Sequence, residues 1–175
     1  LKTRKLPRGS LVFRPNDTQA VNGVSIAKGA ALLSINENVV SKLLRLEPSE
    51  GSVDKEIEWT TSDIALPGKG TSYVTFADDR EETVFVGYDD FLTPDSLLSW
   101  DRETNQASPL KSLPAKFNAS DLKVEQHFAK SKDGTSIPYF LVCRKDIELD
   151  GSTPTLLYAY GGFQVSMRPS YSNTV

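Results

Sequence analysis

The chain has 175 residues, of which 38% are hydrophobic and 25% charged, and its formal net charge is −3 at pH 7. This apolar fraction is too high for a disordered chain, so we expect one folded domain, or one domain and part of another. The acidic balance gives no electrostatic reason to bind nucleic acid or an anionic membrane, and neither is expected as a partner. No apolar run approaches the roughly 20 residues of a membrane helix.

Cysteine and acidic residues limit the kinds of site that the chain can build. Cys143 is the single cysteine, which rules out an internal disulfide and a cysteine-rich zinc site. A reducing compartment is permitted, and we expect a cytoplasmic location, with a periplasmic one left open. The pairs Asp78-Asp79 and Asp89-Asp90 lack the spacing of a calcium loop and are interpreted as turn residues. We therefore expect no metal and no cofactor.

Most of the chain reads as short strands separated by turns. The predicted strands cover residues 11–14, 30–35, 39–46, 57–60, 73–77, 83–87 and 96–100. Turn signals lie between them, including those at residues 36–38, 50–52 and 67–70. Strands at this spacing are typical of a sandwich, a barrel or propeller blades. Six aromatic residues on these segments are predicted to be core, not a nucleic-acid platform: Trp59, Phe76, Phe85, Tyr88, Phe91 and Trp100.

The composition changes at residues 113–121, "LPAKFNASD", where a proline and turn-forming residues interrupt the strands. We place a domain boundary here, with residues 1–118 in one unit and residues 119–175 in the next. Beyond the boundary, the Asp133-Gly134 pair predicts the turn of a β-hairpin. The apolar run at residues 155–160 predicts a strand that is buried on both faces, as in the central sheet of an α/β domain.

Several uncommon sequence motifs follow in residues 131–172, which read "SKDGTSIPYFLVCRKDIELDGSTPTLLYAYGGFQVSMRPSYS". This segment resembles the start of the α/β-hydrolase domain in prolyl oligopeptidases, where a "SKDGT-IP-F-V" hairpin precedes a "P-LLY-YGGF" strand and a "P-YS" loop. The segment before it is similar to the last blades of that family's propeller. The resemblance therefore implies a mainly β fold, with partial β-propeller blades followed by the first strands of an α/β-hydrolase domain.

The resemblance also implies roles for four residues near the C-terminus. Tyr160 matches the tyrosine whose hydroxyl helps to form the oxyanion hole, and Phe163 matches an aromatic that lines the proline-binding pocket. Gly161 and Gly162 match the turn between them, where we expect the glycines to supply positive φ. The chemistry needs a donor of this kind, because the carbonyl oxygen becomes anionic when a serine attacks a peptide bond.

The sequence lacks the nucleophile of a catalytic triad. No serine satisfies the G-x-S-x-G pattern of a nucleophile elbow. The only histidine, His127, precedes the oxyanion strand, whereas α/β-hydrolases place their histidine last, so we interpret it as structural. We therefore expect an inactive fragment of a serine peptidase whose nucleophile, acid and histidine lie downstream.

Two interpretations of the whole protein stay open at this point. The first is a serine oligopeptidase that cleaves short peptides by an acyl-enzyme route, after proline or after a basic residue, since related oligopeptidases share this strand. The second is a non-catalytic propeller that serves as a binding or scaffold module, in which "YAYGGF" is incidental. For the chain by itself, we expect either self-association through the unpaired edge of residues 155–160 or a locally disordered C-terminus from about residue 161 to residue 175.

Overall fold

The structure is a computed structural model that describes residues 9–49 and 57–173. Within these ranges the chain forms ten β-strands and one short 3-10 turn, and no α-helix. Eight strands form two four-stranded antiparallel sheets, and the last two form a hairpin. No helix in the described part of the chain is long and apolar enough to cross a membrane.

In the first sheet, the strands are hydrogen-bonded to one another in their chain order. Its strands are β1 (Gln19–Ala27), β2 (Ala30–Glu37), β3 (Val40–Pro48) and β4 (Trp59–Asp63). The turn between β2 and β3 consists of Asn38 and Val39, with φ angles of 48° and 63°. Two consecutive positive φ angles are typical of the type I′ turns that match the twist of a hairpin. The strand predicted from residue 39 therefore begins one residue later.

The second sheet repeats the same up-and-down order. Its strands are β5 (Thr71–Phe76), β6 (Val84–Asp89), β7 (Ser96–Asp101) and β8 (Gln106–Ser112). Side chains on β6 alternate between the two faces, and Val84, Val86 and Tyr88 are buried on one of them. This alternation turns one apolar face of the second sheet toward the first.

The two sheets stack face to face around one core. This core joins Ala27, Leu32, Leu43 and Ile64 of the first sheet region to Val84, Val86, Tyr88, Leu98 and Trp100 of the second. Polar contacts close its edge: the Trp100 indole N–H donates to the Asn105 Oδ1 at 3.1 Å, and the Asn105 amide donates to the Asp63 carbonyl oxygen at 2.7 Å. These stacked meanders confirm a mainly β fold with propeller blades; the first sheet (β1–β4) is the first blade and the second sheet (β5–β8) is the second blade.

A hairpin follows the second blade after residues 113–121, which contain no strand. Its strands are β9 (Leu122–Lys130) and β10 (Ser136–Arg144). In its turn, the Asp133 carboxylate accepts a hydrogen bond from the Thr135 backbone N–H at 3.0 Å. The Gln126 side-chain amide donates to the Asn38 carbonyl oxygen at 2.8 Å, which ties the hairpin to the first blade. The predicted hairpin is confirmed, while the division at residue 118 stays a prediction.

Two predicted strands are wrong. Residues 155–160 form no strand, since a strand needs a hydrogen-bonded neighbour and the described residues provide none here. Residues 11–14 also form no strand; Phe13 instead packs on the outer face of the first blade. Phe76, predicted to be core, is 46% exposed. The predicted turn at residues 50–52 lies outside the described residues.

Candidate functional site

The four candidate residues lie in one short segment, residues 160–163, directly after the unpaired stretch. Gly162–Gln164 form a 3-10 turn, and the Val165 backbone N–H donates to the Gly162 carbonyl oxygen at 3.1 Å. The local sequence favours this turn, because two consecutive glycines leave the backbone free of β-carbons where the extended chain reverses. Phe163 lies within this turn, and Tyr160 directly precedes Gly161 at its start.

The Tyr160 ring folds back over Gly162. A β-carbon at residue 162 would lie 2.6 Å from the Tyr160 hydroxyl oxygen, whereas a β-carbon at residue 161 would meet nothing within 4 Å. The phenol can therefore occupy this position only if residue 162 is glycine. The Tyr160 side chain is half exposed, and none of the described residues accepts a hydrogen bond from its hydroxyl. Its hydroxyl is thus available as a donor to a ligand.

Phe163 has an unusual backbone conformation and a solvent-exposed side chain. Its φ and ψ angles are 54° and 26°, in the left-handed region, where a residue with a β-carbon costs about 1–2 kcal/mol. The expected positive φ at the glycines is wrong: Gly161 has a φ of −127°, and the left-handed residue is Phe163. The side chain is 95% exposed. A strained backbone that presents an exposed ring is typical of positions that contact ligands.

The chain is fixed again a few residues after this turn. Pro169 is fully buried, and the Thr71 hydroxyl donates to its carbonyl oxygen at 2.7 Å. The Tyr171 backbone N–H donates to the Asp89 carboxylate at 3.0 Å. Burial raises the pKa of Asp89, and the hydrogen bond from Tyr171 opposes that rise. The interpretation of Asp89 as a turn residue is wrong, because it ends β6 and binds residue 171.

The neighbouring acidic residue has the role that the sequence predicts. The Asp90 carboxylate accepts backbone N–H bonds from Leu92 at 2.8 Å and from Thr93 at 2.7 Å. It also accepts a hydrogen bond from the Tyr88 hydroxyl at 2.7 Å. Burial and then the hydrogen bond to Asp90 raise the pKa of that hydroxyl. Asp90 is therefore confirmed as a turn residue, and its oxygens are occupied by protein donors.

His127 lies on β9, away from the residue 160–163 segment in sequence. Its Nε2 atom is 3.1 Å from the Glu125 carboxylate, and its ring stacks on Tyr139 at 5.5 Å between ring centres. A groove of about 620 Å³ lies beside it, between the hairpin and the loops of the second blade that carry Lys69 and Asp90. Neither Tyr160 nor Phe163 lines this groove. The interpretation of His127 as structural stays a prediction.

Comparison with known proteins finds relatives along nearly the whole chain. The chain is 43% identical over 162 residues to an uncharacterized peptidase of Sinorhizobium fredii. This alignment covers 93% of this chain and 22% of that protein. The chain is 32% identical over 110 residues to the prolyl endopeptidase of Elizabethkingia miricola, which covers 63% of this chain and 16% of that protein. No family model matches the chain.

Solved structures agree with these relatives. A post-proline cleaving enzyme from Rickettsia typhi is 30% identical and superposes with a TM-score of 0.71, over 94% of this chain and 23% of that one. The chain thus spans less than a quarter of the length of the relatives that it matches. Together, the fold and the relatives show that this chain is similar to one region of known peptidases. By sequence and by fold, it is a homologue of the peptidases of the prolyl oligopeptidase family.

Proposed function

We propose that this chain is part of a serine peptidase that cleaves short peptides after proline through an acyl-enzyme intermediate. The observation that carries the proposal is the Tyr160 hydroxyl, which is half exposed over a glycine that leaves room for it, in a chain whose relatives are peptidases. The relatives named for cleavage at proline support the specificity. Short peptides would be the substrates, and we retain a cytoplasmic location as part of the proposal.

In this mechanism, Tyr160 stabilises charge that exists only in the transition state. When the serine attacks, the carbonyl oxygen gains negative charge, and a preorganised donor aimed at it is worth about 10²–10³ in rate. The Tyr160 hydroxyl would supply one hydrogen bond. In α/β-hydrolases the second comes from the backbone N–H after the nucleophile. No serine of this sequence lies in a G-x-S-x-G pattern, so the proposal places the nucleophile, its acid and its histidine downstream.

Phe163 would contribute to the choice of the residue before the cleaved bond. A proline ring is apolar and rigid, and an exposed phenyl ring on a fixed turn offers it a flat contact surface. We expect Phe163→Ala to reduce the preference for proline over alanine by about 1–3 kcal/mol in the ratio of kcat/KM values. Phe128→Ala is the matched control, because Phe128 is also exposed but lies on the hairpin. An unchanged ratio for Phe163→Ala would argue against this role.

The reaction class can be tested by covalent labelling with a serine-directed phosphonate. The full-length protein should be labelled stoichiometrically and should hydrolyse a chromogenic peptide that contains proline. The 175-residue chain should do neither, because the proposal places the nucleophile outside it. Stoichiometric labelling of the 175-residue chain would contradict the proposed location of the nucleophile. A full-length protein without labelling or hydrolysis would favour the non-catalytic propeller module.

A further inference from the structure

The stretch after the candidate site is bound to the second blade at two points two residues apart. These points are the carbonyl oxygen of Pro169 and the backbone N–H of Tyr171. We propose that Thr71, Asp89 and Tyr171 form a latch that positions the residue 160–163 segment against the second blade. The inference rests on the proposed function, because it assigns positioning residues to that same site.

The blade presents its two latch side chains as a pair. Thr71 begins β5 and Asp89 ends β6, and the two residues lie directly opposite each other in the antiparallel register. Opposite residues in such a register project on the same face of the sheet. The Thr71 hydroxyl is a donor and the Asp89 carboxylate an acceptor, so the pair matches one carbonyl and one N–H of an approaching extended chain. The spacing of Pro169 and Tyr171 presents these two groups together.

Burial distinguishes this contact from an incidental surface one. Pro169, whose carbonyl oxygen accepts the first of the two hydrogen bonds, is fully buried. The segment before the latch behaves in the opposite way, since Leu157 is 90% exposed. The change from an exposed stretch to one with a buried proline and two hydrogen bonds to the second blade marks residues 169–171 as the point where this part of the chain is held.

Tyr171 also joins the latch to the connection between blade and hairpin. Its hydroxyl oxygen accepts a hydrogen bond from the Lys116 backbone N–H at 2.7 Å. Its ring stacks on Phe117, with ring centres 5.1 Å apart and planes 11° from parallel. Lys116 and Phe117 belong to the strand-free residues 113–121 that follow the second blade. One residue therefore connects three parts of the chain: the second blade, this connection and the segment that carries the candidate site.

The chain between the candidate site and the latch is short enough for the latch to restrict the position of the site. Phe163 and Pro169 are only six positions apart in the sequence, and an extended chain of that length reaches about 20 Å at most. While the latch is closed, Tyr160 and Phe163 are held on a short tether to the second blade. If it opens, the Gly162–Gln164 turn loses its downstream anchor, and the Tyr160 hydroxyl loses the fixed position that transition-state stabilisation requires.

Amide exchange in the 175-residue chain, measured residue by residue by NMR, tests the coupling without any activity. Thr71→Val keeps the side-chain shape and removes the donor, whereas Thr71→Ser keeps the donor. We expect Thr71→Val to raise the exchange rates of the Tyr171 and Val165 amides about fivefold, because this factor corresponds to the loss of one neutral hydrogen bond. Thr71→Ser should leave both rates near wild type. Unchanged exchange at Val165 in Thr71→Val would overturn the proposal, because the latch would then not reach the site.

Kinetics of the full-length protein test whether the latch acts through Tyr160. We expect Thr71→Val to lower kcat about tenfold with little change in KM, and Thr71→Ser to restore kcat. In a Tyr160→Phe background the same substitution should cost nothing further. An equal loss in both backgrounds would reduce the latch to a structural contact. A Tyr160→Phe variant with unchanged kcat would instead refute the proposed function, and the exchange experiment would still decide whether the latch holds the segment.

Discussion

The second blade and the segment after the hairpin differ in how far their leucine side chains are buried. Leu98 of β7 is completely buried and pairs with Val86 across the sheet. Leu157, in an apolar run that looks equally strand-like in sequence, is 90% exposed. Each strand of the blade finds its partner within a few residues along the chain, whereas residues 155–160 have no partner among the described residues. Local pairing thus fixes the blades, and the segment that carries the candidate site depends on distant contacts.

The largest expected effect comes from removing the same side chain in the two regions. Leu98→Ala should lower the free energy of unfolding by about 2–5 kcal/mol, because it leaves a cavity in the core between the blades. Leu157→Ala should change it by no more than about 0.5 kcal/mol. Urea unfolding followed by far-UV circular dichroism measures both. Similar losses for the two variants would mean that residues 155–160 are buried in solution, and the comparison would fail.

The next effect separates the two glycines of the candidate site. In the full-length protein, Gly162→Ala should lower kcat about 10²-fold, because the new methyl group would displace the Tyr160 hydroxyl and small misplacements are costly. Gly161→Ala adds its methyl group to open space and should leave kcat within a few-fold of wild type. Steady-state kinetics on a proline-containing peptide measures both values. Equal losses would show that the ring does not occupy this position during catalysis.

The smallest expected effect concerns self-association of the 175-residue chain through residues 155–160. An exposed apolar segment without sheet partners favours pairing with a second copy. Sedimentation velocity over a range of concentrations should show association, and Leu157→Lys should weaken it about tenfold by removing one buried apolar contact. The Leu113→Lys variant is a suitable control, because Leu113 is exposed outside this segment. A monomer at all concentrations would contradict the prediction.

The strands of the blades could be predicted where apolar alternation was clear. β2, β3, β6 and β7 carry the buried side chains of the core, and each was predicted to within a few residues. β1 and β8 were missed because both lie at sheet edges, where most side chains are exposed and the alternation is weak. Pro109 within β8 also masks the pattern, although proline is tolerated on an edge strand. The prediction of a strand at residues 155–160 was wrong, because strand pairing depends on tertiary structure and cannot be read from a local apolar run.

The candidate site divides in the same way between local and distant information. Tyr160 and Phe163 stand in a distinctive run of letters, so a resemblance could find them. Thr71 and Asp89 could not be found, since they bind residues 98 and 82 positions away and have ordinary sequence contexts. The positive φ of Phe163 was also missed, because two glycines precede this residue and glycine adopts positive φ without a steric penalty. The sequence therefore indicates the chemistry of residues 160–163, and only the fold indicates which distant residues bind the chain next to them.

The most direct test of the central claim compares two tyrosines of the same segment in the full-length protein. Tyr160→Phe should lower kcat about 10²–10³-fold and leave KM within a few-fold, because the hydroxyl acts on charge that develops only in the transition state. Tyr158→Phe removes the same atom from a more exposed ring two residues earlier and should leave both constants near wild type. If Tyr160→Phe changes only KM, or if the two variants behave alike, the assignment of Tyr160 to the oxyanion hole is wrong.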